Sequence, residues 1–506
     1  MQEHGTTRRE DVPIDEAPQF SGAKSALPPL RRYLHLMRLL GTSSGPSYFR
    51  GPGCLGALRF WFKKTVRCLL AWYTRPLHQF HLAATRMAEE QVKALEALEA
   101  RIRRLEERIA GRELVAGDAG RDFGAALSPP LPFGVNVIGY LTSEKGVGEA
   151  VRCNLRTLKA GGVPYVANSY VETWSKNVEQ LPGDFSTGSP YGINLINVNA
   201  DELPRVVEHH PEYCRGQYNI GYWNWELSAF PPEWCGSFGY LDEVWTPSTF
   251  VQQSVESVAP VPVACIPLSI DPDIQYAPGD IRRRLGIPEG VFLFLFFFDF
   301  HSRLERKNPE GLIRAFRQAF GGRKDAMLLI KSAHGRFHQG DLLRLRSAGR
   351  GANIRILDGV WPRARMNALL ASANAYVSLH RSEGFGLTLS EAMACGKPVI
   401  ATGYSGNMDF MTPDNSFLLR FKMVEIEKDH YMYKKGNFWA DPDADHAVEL
   451  MLRVAEDRKL AAEVARRGQS DVMSMLHPST VAKAVKQRLA LIEKVLPGHG
   501  HRGMNE

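Results

Sequence analysis

From Phe133 onward, short apolar runs alternate with segments of helical periodicity, and no other feature of the sequence constrains the fold as strongly. The runs include Val135–Leu141, Ile193–Val198, Tyr218–Trp223, Glu243–Thr246, Phe292–Phe298, Met327–Ile330 and Ala375–Leu379, several ending in Asn, Gly or Pro. Strands apolar on both faces must be covered on both faces, which alternating helices do when the sheet is parallel. Asp, Pro and Gly cluster over Asp271–Gly290, just before the run Val291–Phe298. That cluster predicts a boundary between two doubly wound α/β domains, spanning residues 133–275 and 285–475. Doubly wound sheets bind ligands beyond the carboxyl ends of their strands, so chemistry is expected there.

The preceding residues read differently. Residues 1–130 hold 20 Lys/Arg against 14 Asp/Glu, so most of the chain's net charge of +7 lies there. Residues 1–54 have the composition of a largely disordered basic tail. From Leu55 to about Phe80, Leu55, Leu58, Phe62, Val66, Leu69 and Tyr73 fall on one helical face, with Arg59, Lys63, Lys64 and Arg67 around it. Such a helix suits either an anionic membrane surface or docking on protein, and both readings stay open. Over residues 87–114, Leu95, Leu98, Ile102, Leu105 and Ile109 recur at steps of three and four, the pattern of a coiled coil that would join copies of the chain. The helical region as a whole spans residues 55–116, and Gly117–Pro132 reads as a linker. The seven cysteines are scattered, without metal or redox spacing, and fit free thiols in a reducing cytoplasm. The polar N-terminus, with Glu3, Glu10 and Asp11, lacks a secretory plan, and no apolar run reaches the about 20 residues that span a bilayer. A cytoplasmic protein, peripheral at the inner membrane face, is expected, with no nucleic-acid partner.

The densest chemistry lies in Ser378–Leu–His–Arg–Ser–Glu383–Gly–Phe–Gly–Leu–Thr–Leu–Ser–Glu391–Ala–Met–Ala–Cys–Gly396–Lys–Pro398. It reads as strand, tight turn at Gly384–Gly386, and helix Leu387–Cys395 stopped by Gly396 and Pro398. A helix that opens after glycines offers free N–H groups and a positive dipole end to a phosphate. A second string, Asp299–Phe–His–Ser–Arg303–Leu–Glu–Arg306–Lys307–Asn308–Pro309, follows a strand and precedes the helix Glu310–Phe320, and it supplies cations. The N-terminal half contributes Gly139–Tyr–Leu–Thr–Ser–Glu144–Lys145–Gly146–Val–Gly148–Glu149, a glycine loop between strand and helix that lacks the third glycine of a dinucleotide fingerprint.

The two glutamates seven residues apart, in the setting E-G-F-G-L-x-x-x-E-A-x-A-x-G-x-P-V-I-A, resemble the donor-site motif of glycosyltransferase family 4. That resemblance covers residues 133 to about 495. It implies the GT-B fold of two facing Rossmann-like domains, acceptor side first and donor side second, closed by a crossover helix within residues 476–497. It also implies retaining transfer from a nucleotide diphospho-sugar to a glycan or lipid-linked acceptor in surface polysaccharide synthesis. On this basis Lys307, Arg306 and Glu383 are the candidate catalytic residues. Glu391 would bond the ribose, Gly384, Phe385, Gly386 and Leu387 would cap sugar and phosphates, and Gly146 and Gly148 would lie over the donor. The family's arginine usually stands where this chain has His301, so Arg303 or Arg306 must substitute for it.

Lys331 is either a further cation or a surface lysine, and Gly221–Tyr–Trp–Asn224–Trp225–Glu226 either recognises acceptor or forms core. No cofactor beyond the donor substrate and no metal are expected. Asp271–Pro–Asp273 and Asp441–Pro–Asp443 read as turns rather than ion-binding pairs. Two alternatives stay open on sequence: a sugar-nucleotide epimerase or phosphorylase of the same fold, and a non-catalytic coiled-coil scaffold with a degenerate transferase body.

Overall fold

The computed structural model describes residues 131–143, 146–170, 188–214, 216–270 and 278–496. The expected tail, the amphipathic helix of residues 55–80, the coiled coil of residues 87–114 and most of the linker lie outside the described residues. Glu144, Lys145 and Asp271–Pro–Asp273 do too.

Two parallel six-stranded sheets form the body. The first contains β1 (Val135–Gly139), β2 (Tyr165–Ser169), β3 (Ile193–Asn197), β4 (Tyr218–Tyr222), β5 (Glu243–Thr246) and β6 (Val263–Cys265), in the order β2-β1-β3-β4-β5-β6. The second contains β7 (Phe292–Asp299), β8 (Ala326–Ala333), β9 (Ile354–Asp358), β10 (Ala375–Ser378), β11 (Val399–Thr402) and β12 (Phe417–Leu419), in the order β12-β11-β10-β7-β8-β9. All pairings in both are parallel. The strand order turns back between β7 and β10 in the second sheet and between β1 and β3 in the first. These switch points open crevices at the strands' carboxyl ends.

The strands follow from composition. In β7 the run Phe–Leu–Phe–Leu–Phe–Phe–Phe is buried on both faces, as a central parallel strand must be. Asn136, Asn194 and Asn219 sit side by side in register on β1, β3 and β4, and their buried amides bond one another at 2.8 Å, so the polar side chains are met within the sheet. The strand expected at Met327–Ile330 runs on to Ala333, because buried Lys331 donates to the carbonyls of Ser332, at 2.7 Å, and Gly359. Carbonyl oxygens supply the polar surroundings that a lysine needs inside a sheet. Lys331 is thus occupied by backbone.

A hairpin of β13 (Phe421–Glu425) and β14 (Phe438–Pro442) stands apart from both sheets. The residues linking its strands pack Ile426 and Tyr433, together with Trp439, into one apolar cluster with Trp223, Trp225 and Phe230 of the first half. The helix Pro478–Glu493 returns to the first half and packs on the helix Gly146–Ala160. There Arg488 bonds both oxygens of the fully buried Glu243 at 2.6 Å, and the Ile270 N–H donates to the Leu476 carbonyl at 2.9 Å. No described helix is long and apolar enough to cross a membrane.

Candidate functional site

The two strings singled out in the C-terminal half meet at the β7/β10 switch point. Local sequence explains how. Asn308 adopts a left-handed conformation (φ 51°), ends the short helix Leu304–Lys307 and caps the helix Pro309–Phe320 through a bond from the Gly311 N–H. Asparagine tolerates that conformation, and Pro309 suits the first helical position that follows. The Asn308 amide also donates to the Leu379 carbonyl at 2.9 Å, which fastens this corner to the end of β10. Lys307 is thereby turned toward the following loop, and its Nζ lies 2.5 Å from Glu383 Oε1.

Arg306 is 3% exposed and lies 3.3 Å from Glu383 Oε2 and 3.4 Å from Glu226 Oε1, while its Nη1 donates to the Ser382 carbonyl at 2.9 Å. Burial pushes the Glu383 carboxyl up, but Lys307, Arg306 and His380 outweigh it and hold the group at about 2. Burial lowers Lys307, with Glu383 opposing. The site therefore presents two cations and two carboxylates, Glu383 and Glu226, away from bulk water, where charge interactions are strong. Arg303 is placed otherwise: its guanidinium stacks 4.3 Å from the Tyr431 ring.

The loop Ser382–Gly386 is held from both sides. The Glu383 N–H donates to Ser405 Oγ at 2.8 Å, and Ser248 of the first half donates to the Gly384 carbonyl at 2.5 Å. A Cβ on Gly384 would sit 2.9 Å from the Trp225 carbonyl oxygen, so only glycine admits this approach. Gly386 (φ 93°) starts the helix Leu387–Ala394, and buried Phe385 packs on Phe410. Glu391, one face further along that helix, is buried and bonded by Arg363. Its carboxyl is raised by burial, with Arg363 opposing.

From the first half, the helix that begins at Gly146 brings Glu149 within electrostatic reach of Arg363. A Cβ on Gly148 would meet the Ser143 carbonyl oxygen at 2.3 Å, whereas Gly146 faces open space. Glu149 is bonded by Arg152 and Arg156, both at 2.8 Å; burial raises its carboxyl, but Arg363, Arg152 and Arg156 bring it to about 2. Arg363 and the Glu149 group were not singled out on sequence. Arg363 merely follows Pro362 at a helix start, and nothing local marks its partner 28 residues on.

The aromatic loop after β4 takes the core alternative for its tryptophans, since Trp223 and Trp225 are fully buried. Glu226 turns to the C-terminal half, accepting from the Tyr433 hydroxyl at 3.0 Å. Asp441 accepts from Arg381 and Asp443 caps the helix Ala444–Glu456, so that Asp–Pro–Asp string is structural. Among the described residues one group has the composition of a divalent-ion site: Asp299, His301 and His334 offer ligand atoms within 4.8 Å of one another, with His334 Nδ1 2.9 Å from Asp299 Oδ2.

Residues 279–471 match the family model of the glycosyl transferases group 1, over the second sheet, the hairpin and both motif strings. A curated relative, the GDP-mannose-dependent monoacylated alpha-(1-6)-phosphatidylinositol monomannoside mannosyltransferase of Corynebacterium glutamicum, is 28% identical over 180 residues, 34% of this chain and 41% of that protein. The match thus spans less than half of the relative's length. Among solved structures, the sucrose-phosphate synthase of Thermosynechococcus elongatus superposes with a TM-score of 0.55 at 15% identity, covering 71% of this chain and 99% of that one. The Anabaena protein HepE, solved with UDP and glucose, gives 0.53 at 15% identity over 71% of this chain and all of that one. A glycosyltransferase of Rickettsia africae gives 0.53 at 13% identity over 72% and 99%. The described body therefore has the two-sheet GT-B fold, and its C-terminal half is related to the group 1 glycosyl transferases.

Proposed function

We propose that the chain is a retaining glycosyltransferase that moves a sugar from a nucleotide diphospho-sugar to a glycan or lipid-linked acceptor. The observation that carries this reading is the meeting of Lys307, Arg306 and Glu383 at the β7/β10 switch point, beside the glycine-led helix that bears Glu391. Lys307 and Arg306 would take the charge that gathers on the diphosphate as the bond to the anomeric carbon breaks. Fixed cations in a site poor in water contribute about 3 kcal/mol each in comparable settings. Glu383 is ionised and faces the sugar, while Glu391 accepts from the ribose hydroxyls. In the proposed course the bond from the anomeric carbon to phosphate oxygen breaks and the bond to acceptor oxygen forms on the same face. The acceptor's proton passes to the departing phosphate oxygen.

The acceptor reading draws on two supports. The curated relative acts, by its name, on a phosphatidylinositol mannoside, and residues 55–80 have the composition of a surface-binding helix. A cytoplasmic protein peripheral at the inner membrane face follows from the same reading.

A thermal-shift screen of nucleoside diphosphates and their sugars tests the donor assignment, with turnover then measured using the stabilising donor. Stabilisation by at least one nucleoside diphosphate is expected, and none by any of them would remove the reading. Transfer is expected to stay within about twofold when a chelator is added, because protein cations meet the diphosphate. Loss of activity restored by a divalent ion would instead assign a metal to Asp299, His301 and His334.

A further inference from the structure

One charged group at the centre of the molecule has no task in the scheme above. Glu226 ends the aromatic loop after β4, in the first half, yet its carboxylate lies among residues of the second. Its Oε1 is 3.4 Å from Arg306 Nη2, its Oε2 accepts from the Tyr433 hydroxyl at 3.0 Å, and its carbonyl accepts from Ser382. Tyr433 belongs to the segment between β13 and β14, with its ring centroid 5.8 Å from the Arg306 guanidinium and 5.7 Å from the Trp225 ring. Burial raises the tyrosine's pKa well above the ordinary value, so its hydroxyl remains a donor.

Arg306 is thus gripped on both terminal nitrogens, Nη1 by Ser382 and Glu383, Nη2 by Glu226. Its Nε is buried and has no hydrogen-bond partner. A guanidinium is a planar fork, so fixing its two ends fixes where the third N–H points. A buried cationic donor left without an acceptor requires a partner that the protein does not supply, and a diphosphate oxygen has the charge to be that partner.

We propose that Glu226 and Tyr433 are positioning residues, carried by two separate parts of the chain, that hold the outer edge of Arg306 so that its Nε–H meets an oxygen of the departing diphosphate. The inference rests on the transferase reading. Because Glu226 comes from the first half and Arg306 from the second, the fork is fully held only while the halves are in contact. The arginine is then set for the leaving group by closure, whereas the contact of Lys307 with Glu383 lies within the second half.

The test uses the full chain with Glu226→Gln, Tyr433→Phe and the double substitution, reading kcat, donor KM and nucleoside diphosphate affinity by calorimetry. Glu226→Gln is expected to lower kcat about 30-fold and Tyr433→Phe about 5-fold, with donor KM and diphosphate affinity within about threefold of the unaltered chain. The double variant is expected to be no slower than Glu226→Gln, since both act through one guanidinium. Glu226→Asp should regain part of the loss. An unchanged kcat in Glu226→Gln, multiplicative effects in the double variant, or a lower thermal midpoint with normal kcat would overturn the proposal. An unaltered chain that neither binds nucleoside diphosphates nor turns over a donor removes the transferase reading separately. Hydrogen exchange then decides the contact itself: Glu226→Gln must speed exchange in both 222–227 and 431–439, and unchanged exchange overturns the latch.

Discussion

Lys307 reaches Glu383 because left-handed Asn308 and the helix opened by Pro309 turn the chain there, with the corner fastened to Leu379. Replacing Lys307 by Ala removes one of the two cations at the proposed leaving group. Turnover is expected to fall about 100- to 1,000-fold, read from single-turnover rates under conditions where a denaturation curve shows the variant still folded, since Glu383 keeps Arg306 as its cation.

His380 makes a prediction that needs no substrate. It is fully buried, with Ser378 Oγ at 3.1 Å from Nδ1 and Asn407 Oδ1 at 3.2 Å from Nε2, a pairing that suits one donor and one acceptor and hence the neutral ring. Burial, partly opposed by Glu383, lowers its pKa from 6.5 to about 4. The folded value lies below the unfolded one, so the unfolded state binds the proton first as pH falls. The associated stability is complete above pH 6.5 and is lost between 6.5 and 4. The loss is expected to be on the order of 3 kcal/mol, and urea midpoints across that window should flatten in His380→Gln. Glu383 and Glu149, both held at about 2, add their losses only below the ordinary carboxylate value of 4.5.

The strand–turn–helix unit around Glu383 and Glu391 was legible because everything that shapes it is local: the apolar strand, the glycines and the helix stop lie within one short string. The same holds for the capped corner at Asn308. Tyr433 and Arg363 were not legible as neighbours of the two motif strings, and Glu226 was read only within a segment that either recognises acceptor or forms core. Glu226 and Tyr433 are 207 positions apart, and a tyrosine in a hairpin connection carries no periodicity that predicts its partner. Glu226 was seen, but its direction depends on where another element ends. Lys331 misled for a related reason: a lysine after an apolar run signals a strand end unless carbonyls enclose it, and those carbonyls come partly from Gly359.

The turn also carries a substitution test. Gly384→Ala would press a methyl group against the Trp225 carbonyl, 2.9 Å away, where backbone must yield. A destabilisation of about 1–3 kcal/mol is expected, together with reduced turnover, because the displaced segment bears Glu383. Normal stability and activity in that variant would show that the halves do not meet there in solution.

At the scale of the whole molecule, the first half is tied to the last helix by Arg488 on Glu243. Glu243 is fully buried and also accepts from Trp245 Nε1 at 2.7 Å and Tyr218 at 3.1 Å. Arg488→Ala leaves that buried carboxylate with two neutral donors and no cation, a change expected to cost about 3 kcal/mol. Thermal denaturation of the variant measures it, and Arg488→Lys should recover only part, since one ammonium cannot match two oxygens at once. The basic segment is tested separately by flotation of the full chain with anionic vesicles. Replacing Arg59, Lys63, Lys64 and Arg67 should abolish flotation if charge brings the chain to the surface, each contributing about 1 kcal/mol.

The bond from Ile270 to Leu476 places two backbone crossings side by side, one where the first half ends and one where the last helix begins. Two neighbouring threads define an axis about which the joined bodies can turn. Groups far from that line sweep the widest arc while those beside it barely stir. A turn there would carry Glu226 off Arg306 and would also part Tyr433 and Trp439 from Trp223 and Trp225, so each opening would bare apolar surface that closing covers again.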